Sequence, residues 1–449
     1  MKLRFVLFFA LSLFVQYLPV QAQNPFITHI YSADPSGHVW KNDTSTLWIY
    51  ASHDVPGTNH HATMFDYHVF STNDLVNWTD YGRVLSVDDV DWAIDYAWAI
   101  DAIQWQGKYY LIFCMHEKGT GMFRTGIAVS DVPQGPFKNI GYIKGIEWGQ
   151  DPAVFQDDDN RVYIYWGAGG SCFAAELNSD LLSIKPDTKV NLTSQLTNVF
   201  EGPWVHKYEG KYYLSYPGLN NGQWPEEMYY ATAEKPLGPY TFKGKYIPEF
   251  KGQAGTNHGY IVKFKGKWLA LHHSAMVSGG KSEVRSLMGD FLFYNADGTI
   301  RTIIPNPAGL SEGKPTTCTV FLEAEDANAA GGKLMETQIA SEFQGFSGKG
   351  YVTNFLNHYN YVQVLVQVAK DMKAKMKIRL CADADFSADI LVGNHMRDGW
   401  NGTKMKKTNG WEEIDLGEIS LKEGDNLIRI NSHQNVNLKV DYFKFEMPK

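Results

Sequence analysis

The chain has 449 residues, with 41 Lys and Arg against 49 Asp and Glu, giving a formal net charge of −8 at pH 7. That length suits two domains better than one, and the acidic balance argues against nucleic acid or an anionic membrane as the main partner. Four cysteines exclude a disulfide-stapled miniature fold.

The first 22 residues read as an export signal. Lys2 and Arg4 form a short positive start, and Phe5 to Val15 is apolar but short for a membrane span. Val20-Gln21-Ala22 is a small-x-small cleavage site, so the mature chain is expected to begin at Gln23 and to be secreted or periplasmic.

One pattern then recurs five times: a polar residue, a short apolar strand, a tight turn and an aromatic strand. The copies read SADPSGHVW with LWIYASHD, then AWAIDAIQWQGKYYLIF, GQDPAVFQDDDNRVYIYWG, EGPWVHKYEGKYYLSY and GTNHGYIVKFKGKWLALHH. Most are followed by two further strand-like pieces, such as VFSTNDLVNWTDYG and ATAEKPLGPYTFKG. The markers Asp34, Asp101, Asp151, Glu201 and His258 are 67, 50, 50 and 57 residues apart. A four-stranded propeller blade takes about 40–50 residues plus loops, so a five-bladed β-propeller is predicted over residues 23–312. After the Pro/Gly-rich run at 303–317 the texture changes. Residues 361–370, 376–382, 389–392, 412–417, 426–430 and 438–445 read as short strands of a β-sandwich over 318–449. The four cysteines lack metal-ligand spacing and read as buried thiols.

In a closed ring of blades the heads of the inner strands converge, which would gather Asp34, Asp101, Asp151 and Glu201 with His258 nearby. Crowded carboxylates cannot all stay ionised. Repulsion and desolvation leave one protonated beside an ionised neighbour, the pairing that acetal hydrolysis needs. Trp40, Trp98 and Trp204 are placed to frame a sugar ring. Asp151, in QDPAVF, fits a turn as readily as a site, and QDDDNR at 156–161 reads as a solvated hairpin turn rather than a calcium loop.

Asp34 in SADPSG, Asp101 in YAWAID and Glu201 in FEGPWVHK, with WIYASHD and DYHVFSTNDLVNWTDYG, resemble glycoside hydrolase family 43, in particular its β-xylosidase and α-L-arabinofuranosidase members. The resemblance implies a five-bladed propeller that hydrolyses with inversion. It makes Asp34 the general base, Glu201 the general acid and Asp101 the residue that positions Glu201 and tunes its pKa. It places His258 near an axial metal ion, calcium held mostly by water, and Arg285 along the sugar subsite, where Trp98 is also expected. The family usually reads Trp-Ala-Pro-Asp where this chain has Trp98-Ala99-Ile100-Asp101. The tail, from FLEAEDA to VDYFKFE, is similar to a family 6 carbohydrate-binding module. This implies a structural calcium on Glu323, Glu325 and Asp441, with Tyr351 and Trp411 as the stacking aromatics. Lys439 stands where that family often has asparagine. The expected activity is exo-acting release of xylose or arabinose from plant cell-wall oligosaccharides. The same hydrolysis on a galactoside, and a propeller that binds glycans without cutting them, are the alternatives.

Overall fold

The computed structural model describes residues 23–57, 61–392 and 399–448, so the export-signal reading of residues 1–22 lies outside them. The protein is all-β. Among the described residues helix is confined to short 3-10 turns, and no helix is long and apolar enough to cross a membrane.

Five antiparallel sheets follow one another along the chain, each starting from a strand that heads one of the repeats. These first strands are Ser32–Trp40, Trp98–Trp105, Ala153–Gln156, Trp204–Tyr208 and Tyr260–Phe264. Each pairs with its successor and the sheet meanders outward, through four strands in the first four sheets and three in the fifth. Three of the inner hairpins turn on Gln106-Gly107, Glu209-Gly210 and Lys265-Gly266, with both residues at positive φ. That is the two-residue turn whose twist matches the strands it joins, and glycine at its second position is what the repeats supply. The five first strands pack in order, and the fifth returns to the first, closing a ring. The start of the described chain reinforces the closure: Phe26 N–H donates to Leu287 O (3.0 Å) and Asn24 Nδ2 to Gly289 O (3.1 Å) in the fifth sheet.

The remaining residues form two sheets around a separate apolar core, in which Val320, Phe443 and Phe445 meet Val362, Ile390 and Ile430. Strands cover Tyr361–Val368, Met372–Cys381, Phe386–Val392, Glu412–Leu421, Gly424–Asn431 and Lys439–Met447, close to the predicted segments. Gly399–Met405 and Thr317–Glu323 were not among them. Thr317–Glu323 pairs in parallel with Asn77–Ser86, the outermost strand of the first sheet. The two units therefore share one continuous sheet. The thiols of Cys114, Cys172, Cys318 and Cys381 are all free, and only Cys318 is not fully buried.

A buried polar network lies at this junction. His68 donates from Nδ1 to Asp80 (3.0 Å) and from Nε2 to Gln367 Oε1 (3.0 Å), so its ring carries both protons. Asp80 also accepts from His29 (2.8 Å), and Asp66 accepts from His53 (2.7 Å) and from Gln367 Nε2 (3.3 Å). Burial disfavours the His68 charge, but Asp80 and Asp66 outweigh it and push the ring up to about 9. A pKa raised on folding contributes stability that is complete below the unfolded value of about 6.5 and is lost as pH rises through about 9. Stability is accordingly expected to fall between pH 6.5 and 9.5, by about 3 kcal/mol, and the melting temperature with it. His68→Gln should melt lower at neutral pH and lack that extra alkaline slope; identical slopes in both proteins would show that His68 is not charged.

Candidate active site

The heads of the inner strands surround a cavity of about 90 Å³, lined by Asp34, His61, Met64, Trp98, Ala99, Gln150, Asp151, Glu201, Thr256, His258 and Arg285. Every sheet of the ring contributes to it. Two of its acids adopt the left-handed backbone region, Asp34 at φ 52° and Asp151 at φ 48°. Asp tolerates that region better than most side chains, and such residues gather at functional sites. Gly202, at φ 55°, follows Glu201 directly; a Cβ there would lie 3.0 Å from both the His258 ring and Pro217.

Asp34 is held from all sides. Arg285 Nη1 donates to Oδ1 (2.9 Å) and Ser52 Oγ to Oδ2 (2.5 Å). The backbone N–H of Asp34 donates to Nδ1 of His273, whose Nε2 donates to Thr256 O (3.0 Å). His273 is therefore neutral, in agreement with burial and the nearby Arg285 driving its pKa well down. Burial opposes the Asp34 charge, but the Arg285 guanidinium, helped by the Ser52 hydrogen bond, outweighs it and holds the carboxyl far below the usual range. Arg285 is fixed by a fork to Asp54, with Nε and Nη2 each 2.9 Å from a carboxylate oxygen.

Glu201 has a different environment. It is half-buried, and no protein hydrogen bond reaches its carboxyl among the described residues. Burial and repulsion from Asp34 raise it to about 7. Asp151 is buried, accepts from Gly202 N–H (3.2 Å), and is raised by burial and by the charges of Glu201 and Asp34. Behind it, Glu226 is buried with Oε1 unpartnered and is raised by burial and by Glu201. One cavity thus holds an ionised carboxylate and a proton-bearing carboxyl, the pairing that separates base from acid.

The structure brings together Asp34, Glu201, Trp98, His258 and Arg285 of the predicted set. Trp98 is oriented by its indole N–H, which donates to His61 O (3.2 Å). Asp101 is not at the cavity, which corrects the role expected of it. Its carboxylate accepts from Ser36 Oγ (2.6 Å), His38 Nε2 (2.8 Å) and Val154 N–H (2.7 Å), tying three inner strands together below the site. Asp151 stands beside Glu201 instead. Trp40 and Trp204 are also displaced: they line a second cavity at the far ends of the inner strands. In the C-terminal unit Tyr351 is only 3% exposed and cannot present a face to a sugar. Trp411 is half-buried, with Phe343, Tyr351 and the Arg379 guanidinium packed around it. His61, Ser52, Asp54, Gln150 and His273 carried no signal beyond their positions near strand ends.

Glu323, Glu325 and Asp441 do converge, on the loop at 347–350. Ser347 Oγ donates to Glu323 (2.7 Å), Ser347 N–H to Asp441 (2.9 Å) and Lys349 N–H to Glu325 (2.7 Å). Burial raises Glu323 to about 8 and Glu325 to about 7, and Glu325 Oε2 is buried without a partner. Arg379 pairs with Asp441.

Residues 22–300 match the sequence model described as Glycosyl hydrolases family 43. A xylosidase/arabinosidase 43A from Humicola insolens is 35% identical over 63% of this chain and 99% of its own. A solved GH43 β-xylosidase/α-arabinofuranosidase from a compost microbial metagenome, in complex with xylotriose and calcium-free, is 36% identical. It covers 62% of this chain and 96% of that one, with a TM-score of 0.56. An arabinoxylan arabinofuranohydrolase from Bacillus subtilis, 23% identical, covers 96% of this chain and 99% of its own at a TM-score of 0.57 and shares the fold across both units.

The two aspartates are separable by experiment. Asp151 and Glu201 repel one another when both are ionised, so Asp151→Asn removes that repulsion and the alkaline limb of kcat/KM should move to lower pH. Asp101→Asn should lower the melting temperature and leave that limb in place. A limb indifferent to Asp151→Asn would remove Asp151 from the acid's environment.

Proposed function

This chain belongs to glycosyl hydrolases family 43, and on that ground we propose that it is an exo-acting, inverting hydrolase that releases xylose or arabinose from oligosaccharides of plant cell walls. The observation that carries the reading is the opposite treatment of two acids at one small cavity: Asp34 is held ionised by Arg285, and Glu201 is kept protonated near neutrality by burial and by Asp34. Glu201 gives its proton to the glycosidic oxygen as that bond breaks. Asp34 accepts a proton from water attacking the anomeric carbon from the other face. Asp151, seated on Gly202 N–H, stands beside the acid, and Arg285 fixes the base and lines the sugar's place. The product sugar leaves with inverted configuration.

The ring of five sheets is read as a five-bladed propeller over residues 23–312, and the C-terminal unit, 318–449, as a β-sandwich module of the family 6 carbohydrate-binding kind, with secretion or periplasmic export by residues 1–22. The buried and half-satisfied acids Glu323, Glu325 and Asp441 fit a structural calcium, a hard cation that prefers oxygen donors. At the catalytic cavity His258 fits a metal held mostly by water. Its ring has no protein hydrogen bond among the described residues, and bound calcium would supply positive charge beside the acids. Of the two aromatics named for sugar binding in the C-terminal unit Tyr351 is buried, which supports a structural role for that side chain.

The kcat/KM profile is expected to fall on the alkaline side with an apparent pKa near 7. On the acid side it should hold to below the ordinary carboxylate range, because Asp34 stays charged there. Glu201→Gln should lower kcat by at least about 100-fold while xylose still binds. Proton NMR of the first-formed sugar distinguishes inversion from retention. A panel of nitrophenyl glycosides on which only hexosides are cleaved would overturn the substrate assignment; glycan binding with no turnover by the wild type would overturn hydrolysis itself.

Calcium is expected to raise the melting temperature of chelator-treated protein, and Glu325→Gln to abolish that rise. A wild-type melt indifferent to both chelator and calcium would remove the C-terminal site.

A further inference from the structure

The far ends of the inner strands surround a second cavity, of about 360 Å³. All five inner strands line it, so it lies on the ring axis at the end opposite the acids. We propose that this cavity binds a sugar carboxylate, a hexuronic acid either free or at the end of an oligosaccharide. The assignment concerns a face that the hydrolase reading does not use, and it goes beyond that reading.

Three observations support it. First, the wall carries Lys41, Lys207 and Lys263 and no aspartate or glutamate, on a chain whose formal net charge is −8. Lys207 is committed to Asp157 (2.8 Å) and Asp158 (2.7 Å). Lys41 and Lys263 are exposed and have no carboxylate partner among the described residues. Lys41 Nζ donates to the neutral Gln156 Oε1 (3.3 Å), and Lys263 Nζ lies over the Trp268 ring (5.8 Å). Lys41 ends the first inner strand and Gln156 belongs to the third, which is not its neighbour in the ring, so Lys41 spans the mouth. Two unmatched ammonium groups at one opening suit a single carboxylate. Second, the cavity offers rigid aromatic walls beside neutral polar groups. His38 stacks on Trp40 (4.6 Å, 6°), Trp204 packs on Tyr260 (3.7 Å), and the half-buried Trp268 is braced by Tyr208 (5.9 Å) and Tyr294 (5.7 Å). Gln104 and Gln156 add amide groups. Flat apolar walls with a few amides suit a ring bearing hydroxyls better than a bare inorganic anion, and the volume falls in the range of small-molecule sites. Third, the site is separate from the acids. The two cavities share no lining residue. Between them Asp101 ties Ser36, His38 and Val154 together, and the Tyr260 hydroxyl lies 3.2 Å from His38 Nε2. Lys207 is six residues beyond Glu201, up to about 20 Å away along the same strand.

The test is calorimetric titration of the full chain with glucuronate, glucose and inorganic phosphate, with excess xylose present to occupy the catalytic cavity. Glucuronate should bind, more weakly as salt is raised. Glucose and phosphate should each bind at least about tenfold less tightly. The double variant Lys41→Ala with Lys263→Ala should lose at least about tenfold in glucuronate affinity, and Lys41→Arg with Lys263→Arg should keep it. Both variants should match wild type in melting temperature and in turnover of a nitrophenyl xyloside. Glucose binding as tightly as glucuronate, or an affinity indifferent to salt, would overturn recognition of the carboxylate. Phosphate binding as tightly would overturn recognition of the sugar. Absence of glucuronate binding, or binding untouched by loss of both lysines, would overturn the site. A wild type that turns over no glycoside overturns the hydrolase reading and leaves this result standing, so the two failures are distinguishable.

Discussion

The chemistry of this site depends on how one buried guanidinium is shared. Arg285 is the cation among the groups lining the cavity, and it is committed: its fork holds Asp54, and its remaining N–H groups reach Asp34. Asp34 and Asp54 are thereby matched with positive charge. Glu201, Asp151 and Glu226 are left in the same low-dielectric region without such a partner, and each is driven toward its neutral form by burial first, with Asp34 adding to it at Glu201 and Glu201 adding to it at Asp151 and Glu226. The division into charged and proton-bearing carboxyls follows from geometry, since all five are ordinary carboxylic acids. Moving Arg285 by one strand position would exchange the roles or abolish them.

That commitment requires the backbone to deliver side chains inward at strand heads. A strand alternates its side chains between two faces, so a residue inside a regular strand cannot point along the ring axis. The left-handed turns at Asp34 and Asp151, and the glycine after Glu201, break the alternation where it would misdirect the acids. The Gly202 position is restricted twice, by its φ and by the His258 ring against it. Arg285 arrives from the other direction, just before the third strand of the fifth sheet, and is seated through its own backbone N–H on Asp54 (2.7 Å).

Much of this was legible in the sequence. The repeat spacing located all five inner strands, and Asp34, Glu201, His258 and Arg285 were identified from their local motifs. Asp101 and Asp151 were exchanged, for a physical reason. Both head a repeat in the periodic pattern, but periodicity along the chain does not record depth along the axis. Asp101 bonds Ser36 and Val154, residues two to three positions inside Asp34 and Asp151; at 3.3 Å per residue that is about 7–10 Å below the cavity. The proline after Asp151 made it resemble a turn residue, and it is one: the turn is what aims it. The hydrogen-bonding supports, His273, Ser52 and Asp54, come from second strands and strand ends. Only the folded ring brings them near, and no local spacing marks them. Tyr351 illustrates the reverse case, an aromatic with suitable sequence neighbours whose burial could be known only from the packed core.

The C-terminal unit enters the same account through an edge. The outermost strand of the first sheet, Asn77–Ser86, would otherwise present unpaired backbone groups to solvent, and Thr317–Glu323 completes it in parallel. The contact continues inward: Gln367 bonds both His68 and Asp66, and Asp66 holds His53. His53 is the last residue of its strand and the covalent neighbour of Asp54, which seats Arg285. The family match ends at residue 300, yet the sheet that carries Asp34, Ser52 and Asp54 is completed by residues beyond it. The C-terminal unit thus completes the sheet that carries these residues, and through Gln367 it reaches the polar network behind them.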